Sequence, residues 1–329
     1  MKQTVLLAGA TGYIGSRVAR ELLQHDYAVI CPVRDNQAAA AKALEAFASS
    51  STQGSLTFCP TRLQDVANLN DALQAFPIDS IVSCIASRSG GVKDSYEVDY
   101  LANHALLEWA LGNDVRHFTL LSAICIQKPR LAFQFAKLKF EDELAASGIA
   151  YTSVRATAFF KSLSGQLKRV SEGKPFLMFG DGTLTRCKPI AESDLATFIR
   201  LSLESHDLQG VQAIGGPGPA ITPLEQAQLL ARVTDQPLRT RGVSPTLLKV
   251  IAAILAVPAR LSKKFADKAE FARIGHYYAT ESMLLWDAAR ESYDADATPE
   301  FGTITLEDSY RAQLAGTEDQ GLGDQAVFR

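Results

Sequence analysis

The chain has 329 residues, 47% hydrophobic and 21% charged, with a formal net charge of −3. That balance describes an ordinary globular protein with a sizeable core, and it argues against a nucleic-acid partner, which calls for a strongly basic face. The five cysteines include no C-x-x-C pair and the five histidines are scattered, so no metal or iron–sulfur site is expected, and electrons for redox chemistry should come from an organic cofactor.

From the N-terminus, short apolar runs alternate with helical patterns. TVLLAG (4–9) predicts a strand followed by a helix to about Gln24, AVICPV (28–33) a strand followed by an alanine-rich helix to Ala48, and SLTFCP (55–60) a strand followed by a helix ending near Phe76. SIVSCIA (80–86), HFTLLSA (117–123) and AYTSVRA (150–156) continue the series, separated by a long helix ending near Leu111 and by the helix containing Lys137. Strands joined by helical crossovers predict an α/β fold, a doubly wound and mainly parallel Rossmann sheet covered on both faces.

After Arg155 the alternation breaks down until IAESDLATFIRLSLES (190–205) restores a helix and VQAIGG (211–216) a strand. The chain therefore divides into a Rossmann domain, 1–156 plus about 190–215, and a smaller, mostly helical substrate-covering region, about 157–189 plus 216–329. In that region TPLEQAQLLARV (222–233) opens with Thr222 and Glu225 spaced as a capping box. VIAAILAVP (250–258) falls far short of the ~20 residues of a membrane span. It is expected to pack on the domain, with peripheral membrane contact, helped by Lys263 and Lys264, as the competing role. The last stretch, GTEDQGLGDQAVFR (316–329), shows no periodicity and is expected to lie along the surface. The opening residues lack the basic and long apolar segments of a signal peptide, so a cytoplasmic location is expected.

Gly9, Gly12 and Gly15 form a G-x-x-G-x-x-G pattern between the first strand and the first helix. The first permits a tight turn, the next lets backbone N–H groups approach a pyrophosphate, and the third allows close packing of helix on strand. With Ala10, Thr11, Tyr13 and Ile14 they make up the expected dinucleotide cradle, to which Ala86 and Ser87 after the fourth strand and Ala158 after the sixth are added. NAD-selective sheets place an acid near the end of the second strand. Here CPVRD places Arg34 there, with Arg17 on the first helix as support, and a guanidinium suits a 2′-phosphate. NADPH is the expected cofactor, although Asp35 follows directly.

Short-chain reductases of carbonyl substrates use a Tyr-x-x-x-Lys pair on the helix after the fifth strand, the phenol protonating the developing alkoxide. Lys137 and Ser122 stand at catalytic places, but Phe133 occupies the tyrosine position and donates no proton. Hydride delivery to an alkene conjugated to a large electron sink dispenses with that acid. The developing charge spreads into the substrate, and a lysine, serine or water supplies the proton.

Several blocks closely resemble the NADPH-dependent divinyl chlorophyllide 8-vinyl reductases, a family of atypical short-chain reductases near the NmrA-like and isoflavone-reductase-like groups. They are SCIASRSGGVKDSYEVDY (83–100), LLSAICIQKPRLAFQFAKLKFE (120–141), RATAFFKSLSGQ (155–166), GKPFLMFGDG (173–182), CKPIAESDLA (187–196), IGGPGPAITPLEQ (214–226) and the terminal LGDQAVF. That family also has phenylalanine before the lysine; the visible departure is Ala156, where proline is expected. The resemblance implies NADPH-dependent reduction of the 8-vinyl group of a magnesium tetrapyrrole, divinyl chlorophyllide or protochlorophyllide, to ethyl. Phe133, Phe159, Phe160 and Phe179 are then candidate substrate-binding residues, with Phe176, Met178, Tyr277 and Tyr278 as further walls. Lys161, Arg186 and Lys188 are candidate partners for a propionate. An isoflavone-reductase-like enzyme acting on another conjugated alkene, and a non-catalytic NmrA-type NADPH sensor, share the glycine turn and stay open at this point.

Overall fold

The structure is a computed structural model in which residues 3–34, 38–51, 53–259 and 262–317 are described. Asp35 and the terminal LGDQAVF lie outside them. The first six strands and their crossovers follow in chain order: β1 (Thr4–Ala8), α1 (Tyr13–Gln24), β2 (Ala28–Val33), α2 (Ala38–Ser51), β3 (Ser55–Pro60), α3 (Val66–Leu73) and β4 (Ser80–Ser83). Next come α4 (Val92–Asp94), a π-helical stretch over Ser95–Leu101, α5 (Ala102–Leu111), β5 (His117–Ala123), α6 (Ala132–Ala146) and β6 (Ala150–Ala156). The seven-stranded sheet has the order β3-β2-β1-β4-β5-β6-β8, with β8 at Gly210–Ile214. Parallel pairing runs from β3 through β2, β1 and β4 to β5. Continuous apolar sequence is the expected signature of such strands, because helices bury both faces; β1 and β4 are buried at every residue.

The strand order reverses between β1 and β4, so the loops after these two strands flank the switch point at which open α/β sheets bind ligands. Beneath it Leu6, Ile81, Phe118 and Phe140 belong to one core, with the Phe118 and Phe140 rings 5.7 Å apart. Helix α6 is also tied to β6 by polar contacts. The carboxylate of Glu141, 4% exposed, accepts from Arg155 Nη2 at 2.6 Å and from Ser153 Oγ at 2.6 Å. One turn earlier on the same helix stands Lys137.

By packing, the chain divides into two compact units: Met1–Ile126 with Ala132–Arg155 and Leu195–Gln212, and Gln127–Leu131 with Ala156–Asp194 and Ala213–Arg329. The chain after β6 contributes α7 (Phe160–Leu163), α8 (Leu167–Ser171), β7 (Phe176–Phe179), α9 (Glu192–Ser202), α10 (Pro223–Val233) and β9 (Thr240–Val243). It ends with α11 (Pro245–Ala259), α12 (Lys263–Thr280), the hairpin β10 (Leu285–Asp287) and β11 (Ser292–Asp294), and α13 (Leu306–Leu314). Thr222 and Glu225 form the capping box expected of α10, and β7 pairs in parallel with β9. A second core collects Phe160, Phe176, Met178, Leu230 and Tyr310.

Along α11 the coverage is one-sided, with Ala252 7% exposed. Its apolar run is not packed away throughout, since Val250, Ile254 and Val257 are 48%, 66% and 73% exposed. A run of apolar residues reads the same in sequence whether one face or all faces are covered. No described helix is long and apolar enough to cross a membrane.

Candidate active site

The glycine turn is built from backbone constraints. Gly9 has φ +86°, a conformation side chains resist, and a Cβ there would lie 2.9 Å from the carbonyl of Cys84 at the end of β4. A Cβ on Gly15 would lie 2.0 Å from the Gly9 oxygen, so only glycine lets α1 start this close to the strand. The Gly12 amide donates to Gly9 O at 2.8 Å, closing the turn. Helix α1 has no side-chain cap and no acid in its first turn. Its N-terminal dipole is therefore uncompensated, as an anion site requires. Ala10 and Ile14 are buried, whereas Thr11 and Tyr13 are half-buried beside them.

Arg34 follows β2 directly and is exposed, and Arg17 is half-buried on α1. Past β4, Ala86 is exposed and Ser87 donates its amide to Asp99 Oδ1 at 3.3 Å. Asp99 also pairs with Lys137: Nζ and Oδ1 are 3.0 Å apart, with side chains 8% and 0% exposed. Two buried ions of opposite sign are tolerated at such burial because each neutralises the other. Behind them Asn103 Nδ2 donates to Asp99 O at 3.0 Å, while Asn103 Oδ1 accepts from Ser83 Oγ at 2.6 Å.

Among the described residues, three buried oxygens lack a hydrogen-bond partner: Asp99 Oδ2 of this pair, Ser95 Oγ four residues before it, and Ser122 Oγ on β5. Unsatisfied buried polar atoms are costly, so the free oxygen of Asp99 within a buried ion pair is a candidate partner for a ligand hydroxyl. Phe133 lies one turn before Lys137, half-buried, and supplies no hydroxyl. Burial pushes the Cys84 thiol up to about 12, Lys137 opposing the shift only in part. That thiol stays protonated and is no nucleophile.

Sequence reasoning missed Asp99 and Ser95. A signal existed: Ser95, Asp99 and Asn103 recur every four residues through the helical stretch SYEVDYLAN, and all three are buried. Such spacing puts polar groups on a single inward face. The stretch around Asp99 is π-helical, with the Ala102 amide donating to Glu97 O, an irregularity frequent at functional sites.

The remaining candidates fall in the second unit. Ala158 O accepts from the Ile190 amide, Phe159 and Phe179 are half-buried, and Tyr278 is 45% exposed. Phe160 is 2% exposed and packs in the second core, as do Phe176 and Met178, so their place in this structure is in the core rather than on a ligand wall. Lys188, expected to meet a propionate, is instead buried and donates to Glu300 Oε1 at 2.6 Å and to Thr298 O at 3.2 Å. Arg186 is exposed and Lys161 half-buried.

The family model of the NAD dependent epimerase/dehydratase family matches residues 5–211. A chloroplastic divinyl chlorophyllide a 8-vinyl-reductase of Cucumis sativus is 43% identical over 98% of this chain and 79% of its own length. The corresponding protein of Arabidopsis thaliana is 41% identical over the same shares. Among solved structures, the leucoanthocyanidin reductase–NADPH complex of Vitis vinifera superposes with a TM-score of 0.68 over 95% of this chain and 99% of that one, at 16% identity. The likeness to that structure is one of fold. The match to the epimerase/dehydratase family and the cradle described above agree on a nicotinamide dinucleotide as the cofactor.

Proposed function

The chain belongs to the NAD dependent epimerase/dehydratase family and, within it, to the divinyl chlorophyllide a 8-vinyl-reductases, and from that premise we propose that it uses NADPH to reduce the 8-vinyl group of a divinyl magnesium tetrapyrrole, chlorophyllide or protochlorophyllide, to ethyl. The observation that carries the reading is a buried lysine with phenylalanine four residues before it, where a carbonyl reductase needs its acid. Lys137 is held by Asp99 at 3.0 Å, and Phe133 stands four residues before it.

The residues present fit a dinucleotide. The α1 N-terminus and the glycine turn would receive its pyrophosphate, Arg34 and Arg17 its 2′-phosphate, and Lys137 with the unpartnered oxygens of Ser122 and Asp99 the ribose hydroxyls. When bound, NADPH supplies the hydride. Reduction of a vinyl group conjugated to a macrocycle spreads negative charge into the ring, which removes the demand for a phenol at a single oxygen. The remaining proton comes from Lys137, Ser122 or water. Asp99 keeps the ammonium in place through its fixed carboxylate and completes its own coordination through the Ser87 amide.

The direct test is to incubate the purified protein with NADPH and divinyl chlorophyllide and follow the Soret band. A blue shift matched by NADPH oxidation is the expected result. Cofactor binding without any change in the pigment would overturn the reading.

A further inference from the structure

A cavity of about 340 Å³ opens within the second unit, between α11, α12 and the turn that precedes α6. Its apolar floor is one face of α11, formed by Ala252, Ala253 and Ala256, with Leu131 and Tyr277 beside it. Lys249 lies on the same face, three residues before Ala252, and Arg273 lies on α12, four before Tyr277, so i, i+3 and i+4 spacing puts a cation at the edge of each helical wall. Arg130 adds a third cation from the turn.

No carboxylate is among the residues that line the cavity, and two of its cations are paired with acids outside that lining. Glu281 is shared between Arg130 and Lys128, each at 2.8 Å, and Glu270 is paired with Arg273 at 2.8 Å. Three cations, Arg130, Lys249 and Arg273, thus line the cavity, in a chain whose net charge is −3.

Two simple kinds of ligand suit this cavity poorly. A bare inorganic anion would lose hydration against alanine methyl groups, and a neutral hydrocarbon would strip water from guanidinium groups and return nothing. A flat apolar body carrying a carboxylate satisfies both surfaces. The alanines leave a wall with no side chain beyond Cβ, and the cations offer charge-assisted hydrogen bonds.

We infer that this cavity binds the propionate-bearing edge of the tetrapyrrole substrate, with Lys249 and Arg273 as the carboxylate partners and the alanine face of α11 against the ring. The inference rests on the reading of the chain as a vinyl reductase and adds to it a recognition site. Ligand pockets commonly span about 300–1,000 Å³; this one therefore has room for an acid arm and the ring edge that bears it, while the rest of the macrocycle stays outside.

The test compares divinyl chlorophyllide with its methyl ester at the free propionate, titrated by absorbance into the unmutated protein and into a Lys249→Gln/Arg273→Gln double variant. Esterification should weaken binding to the unmutated protein about 10- to 100-fold, the usual value of a charge-assisted hydrogen bond. The double variant should bind the free acid as weakly as the ester, with NADPH affinity the same in both proteins. Equal affinity of the unmutated protein for acid and ester overturns the inference, a measurement that does not depend on the variant folding. So does a double variant that keeps the acid preference. In both cases continued vinyl reduction leaves the functional reading intact. If the unmutated protein binds NADPH but reduces neither pigment, that reading falls and takes the inference with it.

Discussion

The first unit seals its decisive charges and the second leaves them open. Lys137 and Asp99 have side chains 8% and 0% exposed, whereas the Arg273 side chain is 48% exposed and Lys249 is open to water. A sealed pair has already lost its hydration on folding, so its geometry is set before any ligand arrives. Open cations keep their water until a ligand displaces it, and they contribute through recognition. Under the proposals above, reaction chemistry falls to one unit and choice of substrate to the other.

Substitutions in the first unit should act on cofactor and turnover. The largest effect is expected for Gly15→Val, whose side chain would begin 2.0 Å from the Gly9 oxygen. NADPH affinity measured by fluorescence titration should fall by more than about 100-fold as the cradle opens; unchanged affinity would mean that the turn is not the pyrophosphate site. Next comes Lys137→Ala, for which single-turnover rates should drop by at least about 100-fold, the lower end of general-acid contributions. Near-normal turnover would remove the lysine from the chemistry and dissolve the contrast between the units. Arg34→Ala should cost about 1.5–3 kcal/mol in NADPH binding and nothing in NADH binding, read by calorimetry. An equal loss for both dinucleotides would deny Arg34 its 2′-phosphate.

The smallest effect concerns pH. His117 on β5 is 7% exposed and lies 3.2 Å from Thr152 Oγ1. Burial, reinforced by His206, lowers its pKa from the ordinary 6.5 to about 4. Below 6.5 the unfolded chain takes up a proton that the folded chain refuses, so stability is full above that pH and declines as pH falls toward 4. Thermal unfolding followed across that window should show the decline, and His117→Gln should flatten it. An identical slope in the variant would place the acid sensitivity elsewhere.

Much of the first unit was legible in sequence because its determinants are local. β5 and β6 coincide with the segments HFTLLSA and AYTSVRA, whose β-branched and apolar residues stand between helical patterns. Gly9 and Gly15 were legible for the same reason, their demands arising within one turn. Asp99 was hidden because its partner stands on another helix, and no local rule pairs a carboxylate with a lysine 38 positions later. Lys188 misled in the opposite direction. A basic side chain reads as solvated, yet its carboxylate partner arrives from Glu300, 112 residues away. In α11, helix formation was legible but coverage was not, because coverage belongs to the neighbours.

The thiols bear on how the molecule withstands its own substrate. A light-absorbing macrocycle generates oxidants, and thiolates are the first side chains they attack. Burial raises the pKa of Cys31, Cys59, Cys84 and Cys187, so at neutral pH these sulfurs persist in the form that oxidants ignore. An illuminated, pigment-loaded preparation should therefore retain at least four of its five thiols, counted with a chromogenic disulfide after denaturation, for as long as it stays folded.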